Sequence, residues 1–120
     1  MPKIDSVDFG SITIDGKKYH QVLIAGSEVL ERDYQRLEEL FGTSHKIGDW
    51  EREKLLEGNP EIIIIGNGWQ GALEIDEDFV DLAREKGIGV IGLLSQEAIK
   101  FYNEKTALGQ KINALIHTTC

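Results

Sequence analysis

The chain has 120 residues, 41% hydrophobic and 28% charged, and its 13 Lys and Arg face 21 Asp and Glu for a net charge of −8. That excess of acid argues against nucleic acid and anionic membrane surfaces as partners, because both reward clustered basic charge. One cysteine, Cys120, precludes an intrachain disulfide and suits a reducing, cytoplasmic compartment.

Residues 1–120 read as a single domain, long enough to bury a core without staples. The start, "MPKIDSVDFG", lacks the basic-then-apolar pattern of a secretory signal. No apolar run approaches the ~20 residues of a membrane helix. The N-terminal third alternates like β-structure. "SITIDGKKYHQVLI" holds two apolar segments around Asp15–Gly16, which predicts a hairpin with a type I′ turn. In it Ile12 and Ile14 share one face, and Val22 and Ile24 lie on the partner strand; Glu28–Glu31 extends the meander.

The period then lengthens. Tyr34, Leu37, Leu40 and Phe41 fall at helical spacing, with Gly42 as the stop. "GDWEREKLLEGNP" predicts a second helix, capped by Asp49 and ended by Gly58 and Pro60. From Glu61 onward, "EIIIIG", "IGVIGLL" and "INALIHTTC" read as buried strands. They alternate with helices that start near Asp76 and at Ser95. Strand-helix-strand-helix-strand predicts parallel pairing, and the hairpin adds antiparallel strands. The expected fold is a three-layer α/β/α sandwich around a mixed sheet, an N-terminal β-hairpin followed by a βαβαβ unit.

Gly66-Asn67-Gly68-Trp69-Gln70-Gly71 has the G-x-G-x-x-G spacing of a dinucleotide loop. In a nucleotide-binding unit, however, the glycines open a helix directly onto the pyrophosphate. Here the helix starts five or six residues later behind Glu74, Asp76, Glu77 and Asp78, and Trp69 crowds the loop. The favoured reading is a glycine-shaped strand exit, and no cofactor is expected.

Parallel strands present ligands at their carboxyl ends. The Gly66–Gly71 loop, the Leu94–Gln96 turn at Ser95 and the tail Ile116–Cys120 should therefore share one edge and form a small pocket there. The tail pairs an imidazole with a thiol, the materials of an activated nucleophile. His45, in "GTSHK", supplies a second base if it reaches that edge. His20 reads as a surface residue. A zinc site from His45, His117 and Cys120 is disfavoured because no close-spaced ligand pair exists besides His117-x-x-Cys120, so no metal is expected. Trp50 and Trp69 read first as core or lid anchors, and Trp69, on a glycine-rich loop, equally suits an exposed anchor for a partner.

The segments "FGSITIDGKKY", "GTSHK", "PEIIIIGNGWQGALE", "EAIKFYNE" and "INALIHTTC" span almost the whole chain. In this order they resemble a small single-domain family of unknown biochemical function. That family includes the adipogenesis-associated domain protein and mitochondrial complex I assembly factor 3, and the likeness is strongest to its archaeal branch. The resemblance implies the same α/β/α fold, assembly or regulatory roles rather than a demonstrated reaction, and motif positions at Ser44, His45, Gly66, Gly68, Gly71, Asn103, His117 and Cys120. The expectation is a cytosolic, non-enzymatic interaction domain. It would hold a protein or small molecule through Ser44, His45, Gly66, Gly68, Trp69, Gly71, Ser95, Asn103 and His117, and the exposed sheet edges leave room for a homodimer. The alternative is a small-molecule enzyme using His45 or His117 with Cys120.

Overall fold

A computed structural model describes all residues, Met1–Cys120. In chain order these are β1 (Ile4–Asp8), β2 (Ser11–Ile14), β3 (Lys17–Tyr19), β4 (Val22–Ala25) and β5 (Glu28–Glu31), then α1 (Tyr34–Phe41) and α2 (Asp49–Leu56). The second half runs β6 (Ile62–Asn67), α3 (Glu77–Glu85), β7 (Gly89–Leu93), α4 (Ser95–Ala107) and β8 (Ile112–His117). Five strands form one mixed sheet in the order β5-β4-β8-β6-β7. Strands β8, β6 and β7 are parallel, while β4 runs antiparallel to β8 and β5.

The turn at Asp15–Gly16 forms as predicted. Both residues take positive φ, 47° and 81°, the signature of type I′, and β2 and β3 pair across it. The partner strand, however, is Lys17–Tyr19 and not the segment containing Val22 and Ile24. That segment is β4, which crosses into the large sheet beside β8, leaving β1-β2-β3 as a separate small sheet. Apolar alternation shows which residues share a face, but both pairings bury the same side chains.

Period-two alternation divides the core between the two faces of the large sheet. On one face Val22, Ile24, Ile64, Ala114 and Ile116 pack with Ala98 and Tyr102 of α4 and with Ile4, Ile12 and Ile14 of the small sheet. On the other, Leu23, Ile63, Ile65 and Leu115 pack with Leu55 of α2 and with Phe79 and Ala83 of α3. One outer layer is thus helical, and the other is shared between α4 and the small sheet.

Helix ends follow the expected chemistry with two corrections. Gly42 closes α1 in the left-handed conformation (φ 72°), its N–H donating to Glu38 O. Gly48, not Asp49, is the N-cap of α2, and Glu51 reaches back to accept from Gly48 N at 3.0 Å. Leu94, not Ser95, is the N-cap of α4, because the Ser95 hydroxyl is engaged across the sheet edge.

Candidate functional site at the strand ends

The three predicted segments meet. The parallel register sets Asn67 of β6 opposite His117 of β8, and Gly66 opposite Leu93 of β7. Ser95 lies between them: its hydroxyl accepts from Gly68 N at 3.0 Å and donates to His117 O, while its own N–H donates to Gly68 O. Ser95 is fully buried. This hydroxyl therefore joins the ends of β6 and β8 to the start of α4.

The glycine loop holds the chain's own tail. Trp69 N donates to Thr119 O at 2.8 Å, and Gln70 N and Ala72 N both donate to Cys120 O at 3.0 Å. An anion at a G-x-G-x-x-G loop needs backbone N–H groups of this kind. Here the tail already takes them. Gly68 explains its own identity: at φ 105°, a Cβ on it would lie 2.5 Å from the Cys120 carbonyl. The glycines therefore serve close approach and turning, as expected of a strand exit.

His117 is buried with both ring nitrogens occupied. Nδ1 lies 2.9 Å from Gln21 Oε1, an atom that only accepts, so Nδ1 carries the proton. Nε2 then accepts from the Thr119 hydroxyl at 3.1 Å. Burial lowers its pKa to about 4, helped by the Arg32 charge, so the ring is neutral near pH 7. His45 is half-buried and meets the His117 ring edge to face, 5.1 Å between centroids. Cys120 is half-buried, and its thiol makes no hydrogen bond to either ring. The imidazole–thiol arrangement that a nucleophile requires is therefore not assembled. His20 is not the surface residue expected. It is half-buried, with Nδ1 2.7 Å from Gly10 O and its ring against Tyr34.

Behind His117 lies a cluster that the sequence reading missed. Arg32 and Glu51 form a salt bridge with both side chains fully buried. Arg32 Nε and Nη2 donate to the two Glu51 oxygens at 2.7 and 2.9 Å. Nη1 donates to Gln21 Oε1 and Ser44 O, and Nη2 also donates to Lys46 O. All five guanidinium donors are satisfied. By gripping the carbonyls on either side of His45, Arg32 holds the GTSHK loop so that His45 faces His117. The legible trace of this was Glu51, three residues after the cap. Arg32, beside a helix start, carried no such mark.

Asn103 stands apart from the rim. On α4, its side chain accepts from Ile4 N and donates to Ile4 O, standing in for a neighbouring strand beside β1. Four surface cavities are present, and none is lined by the Gly66–Gly71 loop, Ser95 or His117. What the rim does expose is apolar. Phe9 is 63% exposed, with its ring 6.3 Å from that of half-buried Trp69. Leu94, also exposed, reaches to 3.7 Å from where a Cβ on Gly71 would sit. No group of three or more His, Cys, Asp or Glu side chains is placed to hold a metal ion.

A mixed α/β fold whose glycine exit loop docks its own tail defines the class of protein. Residues 4–117 match the family described as Protein of unknown function (DUF498/DUF598), and the chain belongs to it. Among solved structures, a conserved hypothetical protein from Pyrococcus horikoshii OT3 is similar at 32% identity. It has a TM-score of 0.83 over 98% of this chain and 99% of that one. A protein described as MT938 is similar at 34% identity, with a TM-score of 0.76 over all of both chains. A Bordetella pertussis protein described as a Mth938-like domain shares the fold at 15% identity. Its TM-score is 0.64 over 98% of this chain and 85% of that one.

Proposed function

We propose that this chain is a single-domain, cytosolic, non-enzymatic interaction protein of the assembly type, whose strand-end rim holds a protein partner. The observation that carries the reading is the contrast within that rim. Its backbone N–H groups at Gly68, Trp69, Gln70 and Ala72 are taken by Ser95, Thr119 and Cys120, while exposed Phe9 and Leu94 and half-buried Trp69 present apolar surface outward. A rigid aromatic on a tight loop is the kind of residue that dominates an interface. The ligand is a protein surface rather than a small molecule, because no cavity opens at the rim. The cytosolic placement rests on the single cysteine and the acidic balance. A kinship with the adipogenesis-associated domain protein, with complex I assembly factor 3 and with the archaeal branch accords with the family match and the Pyrococcus relative. The His/Cys enzyme is the weaker reading, because both nitrogens of His117 are taken.

Two measurements test the proposal. A photoreactive phenylalanine analogue in place of Phe9 is expected to give one discrete protein adduct in cells, abolished by Trp69→Ala. The absence of any adduct would refute the rim as an interface. Cys120 is expected to alkylate with iodoacetamide at the same rate in the native chain and in His117→Gln. Rapid alkylation that the substitution abolishes would favour the enzyme.

A further inference from the structure

The large sheet ends in two edge strands, and they differ. Strand β5, "EVLE", is flanked by exposed Glu28 and Glu31, and Glu28 is bridged to Lys54 at 2.8 Å. Two copies joined antiparallel along β5 would set Glu28 against Glu31, like charge against like. Strand β7, "GVIGL", has no charge, no proline and no bulge along its length. Natural sheets blunt an edge with those devices when it is to stay unpaired.

The backbone of β7 is free on its outer side. Strand β7 pairs with β6 alone, and Gly89 N donates to Glu61 O. Alternation then turns Gly89, Ile91 and Leu93 toward β6 and aims the N–H and C=O groups of Val90 and Gly92 outward. We propose that this edge is an interface with a second copy of the same chain, the two β7 strands pairing antiparallel about a two-fold axis at Ile91. Val90 of each copy exchanges hydrogen bonds with Gly92 of the other, and the two Ile91 side chains face each other at about 4.5–5.5 Å between Cβ atoms. The pairing makes one continuous sheet across both copies.

An uncharged strand that pairs with itself about a two-fold axis fits a second copy. A chain of net charge −8 repels its own copy over most of its surface, and β7 is a neutral strip where two copies can approach. A basic or acidic partner gains no recognition there. Because the strands run oppositely, the two Phe9–Trp69 rims lie at opposite ends of the joined sheet and stay open. This interface is independent of the rim reading, and either can fail alone.

The test uses the full chain at submillimolar concentration. Light scattering after size exclusion is expected to give the mass of two chains. In Gly89→Lys the dissociation constant is expected to rise roughly tenfold or more, with an unchanged melting temperature at dilution, where both chains are monomeric. Gly89 has an ordinary φ and open space around its Cβ, so lysine fits the fold while charging the edge. In a Cys120→Ser background, Ile91→Cys is expected to form an intermolecular disulfide under mild oxidation, because the Cα atoms of such a non-hydrogen-bonded pair lie about 4.5 Å apart, within bridging distance. Exposed Glu104→Cys on α4 is expected not to. A single-chain mass throughout, a dimer indifferent to Gly89→Lys, or equal cross-linking at both cysteine positions would overturn the proposal.

Discussion

Two polar clusters meet at His117, and they are held by different means. At the rim, backbone N–H groups of Gly68, Trp69, Gln70 and Ala72 donate to single oxygens of Ser95, Thr119 and Cys120, which come from other strand exits 27 to 50 residues away. Behind it, Arg32 and Glu51 are charged, fully buried and drawn from segments 19 residues apart. A neutral backbone bond contributes about 0.5–1.5 kcal/mol and fails gently when lost. A buried ion pair contributes little net, yet removing one member leaves a stranded charge. The rim is therefore a set of small, separable contacts, and the Arg32 cluster behaves as a unit.

The largest expected effect follows from that difference. Glu51→Ala strands the Arg32 guanidinium in the core and should lower unfolding stability by about 3–5 kcal/mol in urea titrations. The paired replacement Arg32→Met with Glu51→Leu should recover most of the loss. A double variant as unstable as the single one would show that the pair does more than neutralise itself.

Next comes pH, which reads the two clusters together through His117. Its folded value of about 4 lies below the ordinary 6.5, so between those limits the unfolded chain binds a proton that the folded chain refuses. Stability is full above about pH 6.5 and declines toward pH 4. The total is on the order of 3 kcal/mol, because each tenfold loss of proton affinity corresponds to about 1.4 kcal/mol. His117→Gln should flatten the urea midpoint over that window relative to the unmodified chain. Parallel slopes would place the acid sensitivity elsewhere.

The smallest effect belongs to the rim. Gly68→Ala forces a Cβ onto the Cys120 carbonyl at positive φ and should destabilise the chain by about 1–3 kcal/mol. Its sharper readout is local: hydrogen exchange at the Trp69, Gln70 and Ala72 amides should quicken while β6 stays protected. Uniform quickening across β6 would mean that the tail is part of the core rather than a docked segment.

Much of this was legible beforehand, for reasons that particular residues show. Asp15–Gly16 announced its turn because few residues tolerate positive φ, and Gly42 closed α1 for the same reason. The β-branched run Ile62–Ile65, ending at a glycine, read as a buried strand, and its alternation with helices carried the parallel pairing. The convergence of Gly68, Ser95 and His117 followed from the rule that parallel strands share an exit edge. The roles of Val22 and Ser95 were not legible. Val22 is equally apolar in either sheet, and a serine at a helix start normally caps it, whereas here the hydroxyl is captured by residues 22 and 27 positions away. Arg32 was invisible for the same cause, since its burial depends on Gln21, Ser44, Lys46 and Glu51 arriving together.

Local chemistry in the chain thus determined its turns, the placement of its helices, its buried strands and the edge where they end, because each depends on backbone freedom or apolar spacing within a few residues. Tertiary structure alone decided that the rim is sealed by the chain's own tail, that His117 is neutral with both nitrogens engaged, and that an arginine lies in the core. Each of these needs a polar group to lose water and find a partner from a distant segment, and desolvation of that kind exists only once the whole fold has closed around it.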